Sequence, residues 1–494
     1  MLLVLLFACG FLAQIVSSTP TARPTPSPSS NTAIPTFLIT LPSATCTDIA
    51  VCRTRYTIIW SSLVTILACV WTAVHRNVPA PEKGGESRVW RTMSRVLEAA
   101  KIVVVTVLVP EWVLAWAVRQ LLNAREVRRE LNWARGGRQQ EIPDWVDPRL
   151  TYQIRREEAG SGTRLGQYSG AAWPTEAGHL GEKAEAARLA LDMVNEVNEQ
   201  TGRLRGEWST RHGFSVIMGG FHYYARGEPQ VPLSRRDVIW LVRRGDLVPP
   251  TDEEIRNWSQ SDVVSKTLAV VQTIWFIIQA IARRIEGLPI TQLEIMTLAY
   301  TTITVAMYVA WWDKPKNVGG PVRIAAKELP DPARAFYPVE RCLRIFHIIS
   351  GMRDDDINLR NERSVPTFYG GGIDGTNSLY ADILALLFAM VFGAVHCAAW
   401  NYAFPSHVEK LAWHVSSLAI VALPGVMLVF MVLLWTRRAS EILEEVVPFM
   451  FALATPLYVA ARLLLLALSF STLRSLPSEA YRAVQWTLLI PHFT

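Results

Sequence analysis

The residues best suited to chemistry lie in the stretch FGAVHCAAWNYAFPSHVEKLAWH, which covers residues 392–414. Four side chains there could supply ligands to a zinc-like ion with one open position, namely His396, His407, Glu409 and His414. Against this hypothesis, the stretch lacks HExxH and CxxC spacing, and Cys397 would point about 100° away from its neighbour on a helix. The alternative is a turn between two membrane helices, with His396 bonded inside the bundle and with His407 and Glu409 in solvent.

A second candidate site consists of two charged residues within apolar runs. Glu111 follows Pro110 in VPEWVLAW, and Arg462 lies in YVAARLLLL. Ionisable groups are costly inside a membrane, so each is a functional-site hypothesis by default. Glu111 could bind a cation or pair with Arg462. In the alternative interpretation, Arg462 extends to the nearby membrane face and Glu111 caps a broken or interfacial helix.

The composition predicts that membrane helices position both candidate sites. Half of the 494 residues are hydrophobic and 19% are charged, whereas soluble proteins carry about 25% charged residues. The apolar residues form runs of about 20 residues, the length that crosses a bilayer core as a helix. Six runs predict full spans: Tyr56–Val74, Lys266–Ala282, Leu293–Trp312, Tyr380–Trp400, Leu411–Trp435 and Val446–Phe470. We therefore predict an all-α fold, a polytopic transmembrane helical bundle of six or seven spans.

A seventh run, Ile102–Leu122, contains Pro110 and Glu111 near its middle and is followed by a cluster of arginines. If this run crosses the membrane, the long segment after it lies outside the cytosol. If the run re-enters or lies in the interface, that segment is cytoplasmic. Positive charge directly after a membrane segment favours the cytoplasmic side. Against this, long loops cross with little regard to charge, and Arg283 and Arg284 would then lie on the outer side.

The N-terminal sequence predicts entry into the secretory pathway. Residues 1–18 have the apolar core of a signal peptide, or of an uncleaved signal anchor. Residues 19–45 are rich in Ser, Thr and Pro and predict a disordered luminal segment. In an oxidising compartment, Cys46 and Cys52 can form a disulfide. Asn257 begins an Asn-Trp-Ser glycosylation acceptor, which is usable only if its loop is luminal.

The rest of the chain divides into membrane and extramembrane segments. In order, these are 46–122 with the first span and the seventh run, the α-rich loop domain 123–265, the two-span hairpin 266–312, the Pro- and Gly-rich loop 313–379, the three-span bundle 380–470 and the tail 471–494. Within the loop domain, apolar spacing predicts a helix from Leu180 to Gly202, and capping boxes predict helices after Ser234 and Thr251. Between the first two of these, HGFSVIMGGFHYY predicts a short strand or a buried turn.

Several strings, in a fixed order, give the chain a family resemblance. They are CTDIAVC with YTIIWSSLVTILACVWTAVH, then HGFSVIMGGF, VVQTIWFIIQAIARRIEGLPITQLEIMTLAY, WWDKP, FYGGGIDGTN and HCAAWNYAFPSHVEKLAW. On these strings the chain resembles a large group of uncharacterised fungal polytopic integral membrane proteins, found mainly in basidiomycetes. The resemblance covers most of the chain after the Ser/Pro-rich segment. It implies a fungal integral membrane protein, and it assigns no activity and no functional position.

The functional prediction is correspondingly broad. The net charge of +6 comes without a zinc-finger spacing or another nucleic-acid signature, so the predicted partner is the lipid bilayer and not a nucleic acid. The sequence favours a non-enzymatic membrane protein, which is receptor-like, transport-like or a scaffold, located in the secretory pathway or the plasma membrane. The alternative is a metal-dependent membrane hydrolase built on His396 and His414. No catalytic residue, cofactor, ligand or oligomeric state is assigned.

Overall fold

A computed structural model describes residues 52–81, 87–136, 207–225, 228–258, 262–324, 357–372, 375–436 and 441–484, with the single residues 329 and 354. The predicted signal peptide 1–18, the Ser/Thr/Pro-rich segment 19–45, Cys46 and the predicted helix 180–202 lie outside the described residues.

The described chain is mostly helical, with a small sheet. The helices are α1 (Arg55–Ala73), α2 (Arg88–Leu108), α3 (Pro110–Gly136), α4 (Thr210–Ile217), α5 (Arg235–Arg244), α6 (Asp252–Trp258), α7 (Asp262–Ile285), α8 (Gln292–Ala310), α9 (Gly375–Cys397), α10 (His407–Trp435) and α11 (Glu441–Ser471). The strands are β1 (Phe221–Ala225), β2 (Glu228–Pro232) and β3 (Val322–Ile324).

Five helices of the described chain are long and apolar enough to cross a membrane. They are α1, α8, α9, α10 and the part of α11 from Phe449 onward. The predicted run Lys266–Ala282 lies within α7, which is not among the five. The described residues therefore contain five candidate spans, or six if the bent pair α2–α3 is one span, and the predicted bundle of six or seven spans stays a prediction.

The contacts at helix ends show how these helices run. Arg53, just before α1, forms a buried ion pair with Glu294 in the first turn of α8. At the other end of both helices, Lys316 Nζ donates to Thr72 O at 2.8 Å. Helices α1 and α8 are therefore parallel. We call the two ends of the bundle the Arg53 end and the Lys314 end, after the residues that anchor them.

The remaining long helices alternate between these ends. Arg283, at the end of α7, donates to Arg482 O at 2.8 Å and so reaches the Arg53 end. Gln292 donates to Ala403 O at 3.2 Å, which brings the α9–α10 connection to the same end. At the Lys314 end, Asn377 in α9 donates to Glu126 in α3 at 3.3 Å.

Helices α2 and α3 form a bent pair whose axes change direction by 110° at Val109. Pro110 begins α3, where its missing N–H costs nothing and its fixed φ suits a first helical turn. The predicted run Ile102–Leu122 is therefore not one straight helix. The predicted domain boundary between residues 122 and 123 also falls inside α3, which continues to Gly136.

The second half of α3 is the core of a small domain at the Lys314 end. Helix α4 crosses it so closely that a Cβ on Gly213 would lie 2.1 Å from Ala124 O. Strand β1 pairs antiparallel with β2 and parallel with β3. The all-α prediction is therefore too simple, and HGFSVIMGGFHYY contains both the end of a helix and a strand. Helix α5 confirms its predicted capping box at Ser234 and its end at Gly245, where φ is 78°.

Candidate functional site at the tip of the bent helix pair

The two intramembrane charges predicted from the sequence meet at the bend between α2 and α3. Arg462 Nη1 lies 3.6 Å from Glu111 Oε2. The exposed fractions are 5% for Arg462 and 7% for Glu111, so neither side chain reaches the surface. Of the open alternatives, the pairing is the one found in the structure, and Arg462 does not extend to a membrane face.

Aromatic rings surround the Arg462 guanidinium. Its Cζ lies 3.9 Å from the centre of the Phe392 ring, 5.6 Å from that of Tyr300 and 5.8 Å from that of Tyr458. Its Nη1 and Nη2 also donate to the hydroxyls of Tyr458 and Tyr300, at 3.4 and 3.3 Å. Contacts of a cation with ring faces are strongest where water is excluded, so this cage stabilises a charge that the bilayer would otherwise disfavour.

The helix bend supplies a further partner for Arg462. In an unbroken helix, Val107 O would accept the amide of residue 111. The bend at Val109 frees this carbonyl, which instead accepts the Tyr300 hydroxyl and Arg462 Nη2, the latter at 3.3 Å. Irregular backbone at membrane depth is tolerated only where protein groups satisfy it, and these two donors meet that condition. We call Val107, Glu111, Tyr300, Tyr458 and Arg462 the tip site.

Glu111 is held less completely than Arg462. In the part of the chain that the structure describes, neither carboxylate oxygen of Glu111 has a hydrogen bond of ordinary geometry, although the Tyr458 hydroxyl and the Glu111 amide both interact with the carboxylate. Its link to Arg462 at 3.6 Å is therefore mainly ionic. A buried carboxylate with spare acceptor capacity can take up a proton or a small ligand more easily than one that is saturated with donors.

Both arms of the bent pair return to the Lys314 end. In α3, Trp116 Nε1 donates to Tyr369 O at 2.9 Å and Gln120 Nε2 donates to Asn77 Oδ1 at 3.0 Å. Tyr300, in contrast, lies near the middle of α8. The tip site is therefore about halfway through the bundle. The 110° bend is that of a broken span or of a re-entrant pair, and the return of α3 to the Lys314 end favours the re-entrant pair.

A second buried cation was not singled out from the sequence. Lys314, in WWDKP, is 1% exposed and donates to His75 O, to Gln120 Oε1 at 2.7 Å and to Asn77 Oδ1 at 3.3 Å. Its Nζ also lies 4.7 and 4.9 Å from the centres of the Trp116 and Trp311 rings. Among the described residues no carboxylate forms an ion pair with it, and burial lowers the pKa of Lys314 well below its ordinary value.

The sequence did contain a sign that Lys314 is unusual, since it closely follows a span and two tryptophans. A lysine in that place can extend its amine to the membrane surface or can be buried. Only the fold shows that the segment turns inward onto α3. Tyr300, Tyr458 and Phe392 carried no signal of their own, since aromatic residues are common in membrane helices.

The predicted metal ligands are not brought together. Within the described residues no three His, Cys, Asp or Glu side chains are placed to hold a metal ion. His396 is fully buried, and its Nδ1 bonds Phe392 O at 2.9 Å. His414 stacks on the Trp400 ring at 3.9 Å and bonds Trp400 O at 2.8 Å.

The other two predicted ligands are in a helix and not in a turn. Helix α10 begins at His407, because Ser406 caps it by accepting the Glu409 amide at 3.2 Å. His407 is exposed. The Glu409 carboxylate accepts from Ser471 at 2.6 Å and Arg474 at 2.8 Å, so it joins α10 to the end of α11. The physical reason for the correction is that His396, Glu409 and His414 each have a nearer partner, while His407 lies on the exposed surface.

Two further sequence predictions stay predictions. Cys52 is disulfide-bonded, but Cys46 lies outside the described residues, so their pairing is not described. Asn257 is exposed in α6, at the Lys314 end of the molecule, while Ser259 of the acceptor motif lies outside the described residues.

The fold and the tip site together define a helical protein with five candidate membrane spans and a bent helix pair that ends inside the bundle. The chain belongs to DUF8562, a family of unknown function, which matches residues 39–159 and 156–336 and so more than half of the chain. The matched part includes Glu111, Tyr300 and Lys314, whereas Arg462 lies beyond it. No curated protein and no solved structure matches the chain.

Proposed function

We propose that this chain is a multi-pass integral membrane protein with a transport-like function, in which the α2–α3 pair is the moving element and Glu111 is its proton-responsive group. The observation that carries the proposal is the burial of the Glu111–Arg462 pair against a break between two helices. A helical bundle needs no such pair for stability, since apolar residues of similar volume often serve as well or better. Charges inside membranes usually mark pathways for ions or substrates.

The side chains suggest how the pair would work. An ionised Glu111 attracts Arg462 and holds the tip of α2–α3 inside the bundle. A proton on Glu111 would remove that attraction. The tip would then be held by the hydrogen bonds that Tyr300 and Arg462 donate to Val107 O. The tip could then separate from α11 at a lower cost. Broken helices near the middle of the bilayer form the binding sites of many transporters, which is consistent with this scheme.

Helix α7 has the surface and the direction expected of a further membrane span. It carries an exposed apolar face that includes Val271, Ile274, Trp275 and Ile278. It also runs antiparallel to α1, because Thr273 lies 3.2 Å from Cys69 while Arg283 reaches the Arg53 end. With α7 as a span, successive spans alternate in direction, as a chain that crosses a membrane repeatedly requires.

We propose that the Lys314 end faces the cytoplasm of a fungal cell, in the secretory pathway or plasma membrane. Basic residues follow the re-entrant pair in α3, and positive charge favours the cytoplasmic side. Arg283 at the Arg53 end does not oppose this, because it is 2% exposed and donates to three backbone carbonyls, those of Pro289, Ala480 and Arg482. The fungal origin rests on the sequence resemblance alone.

Proton flux through the purified protein tests the transport proposal. Proteoliposomes that contain pyranine and potassium, with valinomycin present, would receive a pulse of external acid. We expect the wild-type chain to acidify the interior faster than protein-free liposomes, and Glu111→Gln to slow this at least tenfold. Gln keeps the shape of the side chain but carries no charge and binds no proton.

The matched control is Glu294→Gln. It removes the carboxylate of another buried ion pair, while glutamine can still complete the capping box at the start of α8. We expect its flux to equal that of the wild type. Wild-type flux no greater than that of empty liposomes, or equal flux in Glu111→Gln, would reject the proposal.

A further inference from the structure

A cleft with a volume of about 880 Å³ lies at the Lys314 end, next to the re-entrant pair. Its walls are the end of α1, the outer part of α2 and the segments 316–319 and 362–367. Ligand pockets usually have volumes of about 300–1,000 Å³, so this cleft could hold a headgroup and the first part of its chains. It is separate from the tip site, none of whose residues lines it.

The two sides of the cleft differ in chemistry. One side is apolar and includes Trp71, Val74, Ile102 and Val103. The other side carries the cations Arg76, Lys316 and Arg363, each of which also has a partner within the protein, such as Thr72 O for the buried Lys316. The acidic residues in the lining are Glu362 and Glu98, of which Glu98 bonds Lys101 at 2.7 Å. Apolar and cationic surfaces side by side suit an anionic amphiphile.

The floor of the cleft adds positive charge. Asn77 lines the cleft, and its Oδ1 accepts from the Lys314 ammonium at 3.3 Å. Among the described residues no carboxylate pairs with Lys314. An anion in the cleft would therefore lie close to Lys314 and would favour its ammonium form, against the burial that lowers the pKa of this group.

The position of the cleft matches the level of lipid headgroups. The α1 span ends at Ala73, so Trp71 lies inside the boundary and Arg76 lies just beyond it. Trp71 is 59% exposed and Trp90, on α2, is 68% exposed, as is usual for tryptophan at headgroup level. One exposed side of α2 is apolar and includes Val89, Met93, Val96, Leu97 and Val104, while Glu98 and Lys101 are exposed elsewhere on the helix. Such a face lies against lipid.

We propose that this cleft binds one anionic phospholipid from the leaflet at the Lys314 end, with its phosphate near Arg76, Lys316 and Arg363 and its chains along Trp71, Ile102 and Val103. This inference uses the membrane orientation proposed above and does not depend on transport. A bound lipid here would contact both α1 and α2, and so would hold the outer arm of the re-entrant pair in place.

Native mass spectrometry of the full chain in neutral detergent tests the proposal. The added lipids are phosphatidylglycerol and phosphatidylcholine with the same acyl chains. We expect one phosphatidylglycerol per chain, retained at least fivefold more than phosphatidylcholine. The double variant Arg76→Gln with Arg363→Gln should lower this occupancy at least fivefold, because it removes two of the three lining cations.

The matched control is the double variant Arg236→Gln with Arg256→Gln, which loses the same charge from two exposed residues elsewhere at this end. It should bind phosphatidylglycerol as the wild type does. Ser94→Trp fills the cleft without changing its charge, and it should also lower occupancy. That variant keeps the test decisive if the arginine double variant does not fold.

Three results would overturn the proposal. They are equal retention of the two lipids, unchanged occupancy in both cleft variants, and displacement of the lipid by millimolar glycerol phosphate alone. The last would mean that the cleft is a site for soluble phosphate and not for a membrane lipid. The chain could bind the lipid without conducting protons, or conduct protons without binding the lipid. The two experiments therefore test the two proposals separately.

Discussion

Lys314 shows how much a single buried charge depends on the oxygens around it. Its three acceptors, on His75, Asn77 and Gln120, match the three protons of an ammonium group. His75 and Asn77 lie in the chain after α1, and Gln120 lies in α3. Lys314 itself lies in the chain after α8. A single side chain therefore fixes three segments at the Lys314 end, where the re-entrant pair enters.

We expect Lys314→Met to destabilise the protein by about 3 kcal/mol. The methionine fills most of the volume but leaves buried oxygens without a donor, each of which costs about 1–3 kcal/mol, while loss of the buried charge offsets part of this. Thermal unfolding in detergent measures the effect. Lys410→Met, at an exposed position in α10, is the control and should change little. A Lys314→Met variant as stable as the control would show that the lysine is not a structural anchor.

At the scale of elements, a close crossing of α9 and α10 supports the aromatic cage of the tip site. Gly393 lies in α9 beside Phe392, and a Cβ there would be 2.9 Å from Ile420 O and 2.7 Å from Val421 Cγ2 in α10. Gly425, further along α10, would place a Cβ 3.4 Å from the flexible end of Met390. Small residues allow membrane helices to approach closely, which is the role of Gly393.

We expect Gly393→Ala to destabilise the protein by roughly 1–3 kcal/mol, because α9 and α10 must separate to admit the methyl group. Gly425→Ala, the control, should be neutral or stabilising, since alanine favours a helix by about 1 kcal/mol over glycine. Thermal unfolding of the two variants in the same detergent compares them. Equal stability would mean that the α9–α10 crossing is looser than the structure indicates.

At the scale of the whole molecule, the alternation of helices divides the chain between two sides. The Arg53 end contains the segments around Arg53 and the turns that follow α11. The Lys314 end contains the sheet, α4, α5 and α6. In the orientation proposed above, the bent pair α2–α3 is re-entrant, so the chain would pass between α1 and the small domain without crossing the membrane.

We expect cysteines at Ser478 and Gly320 to react with an impermeant maleimide from opposite sides. Both positions are exposed, and Gly320 has open space for a side chain. Cys69 and Cys397, the free cysteines of the described residues, would first be replaced by serine, as would Cys342, which lies outside them. In intact cells, Ser478→Cys should be labelled, whereas Gly320→Cys should need permeabilisation. Labelling of both from one side, or a glycan on Asn257, would contradict the proposed orientation.

The sequence by itself determined the class of protein and the limits of most of its long helices. Apolar runs near 20 residues specify membrane helices, because that length crosses the bilayer core as a helix, which satisfies its backbone groups within one segment. It also identified Glu111 and Arg462 as candidate site residues, because a charged residue within an apolar run is easily recognised and is costly to bury. The capping box at Ser234 involves residues only three positions apart, so it could also be predicted from the sequence.

Tertiary structure alone decided which of these residues meet. Glu111 and Arg462 are separated by most of the chain, and their pairing needs the bend at Val109 and the packing of α11 against it. His396 and His414 are near in sequence, yet each bonds a carbonyl of its own neighbourhood. Local patterns specify helices because backbone bonding is local. The partners of a buried charge depend on long-range packing, which no short stretch of sequence encodes.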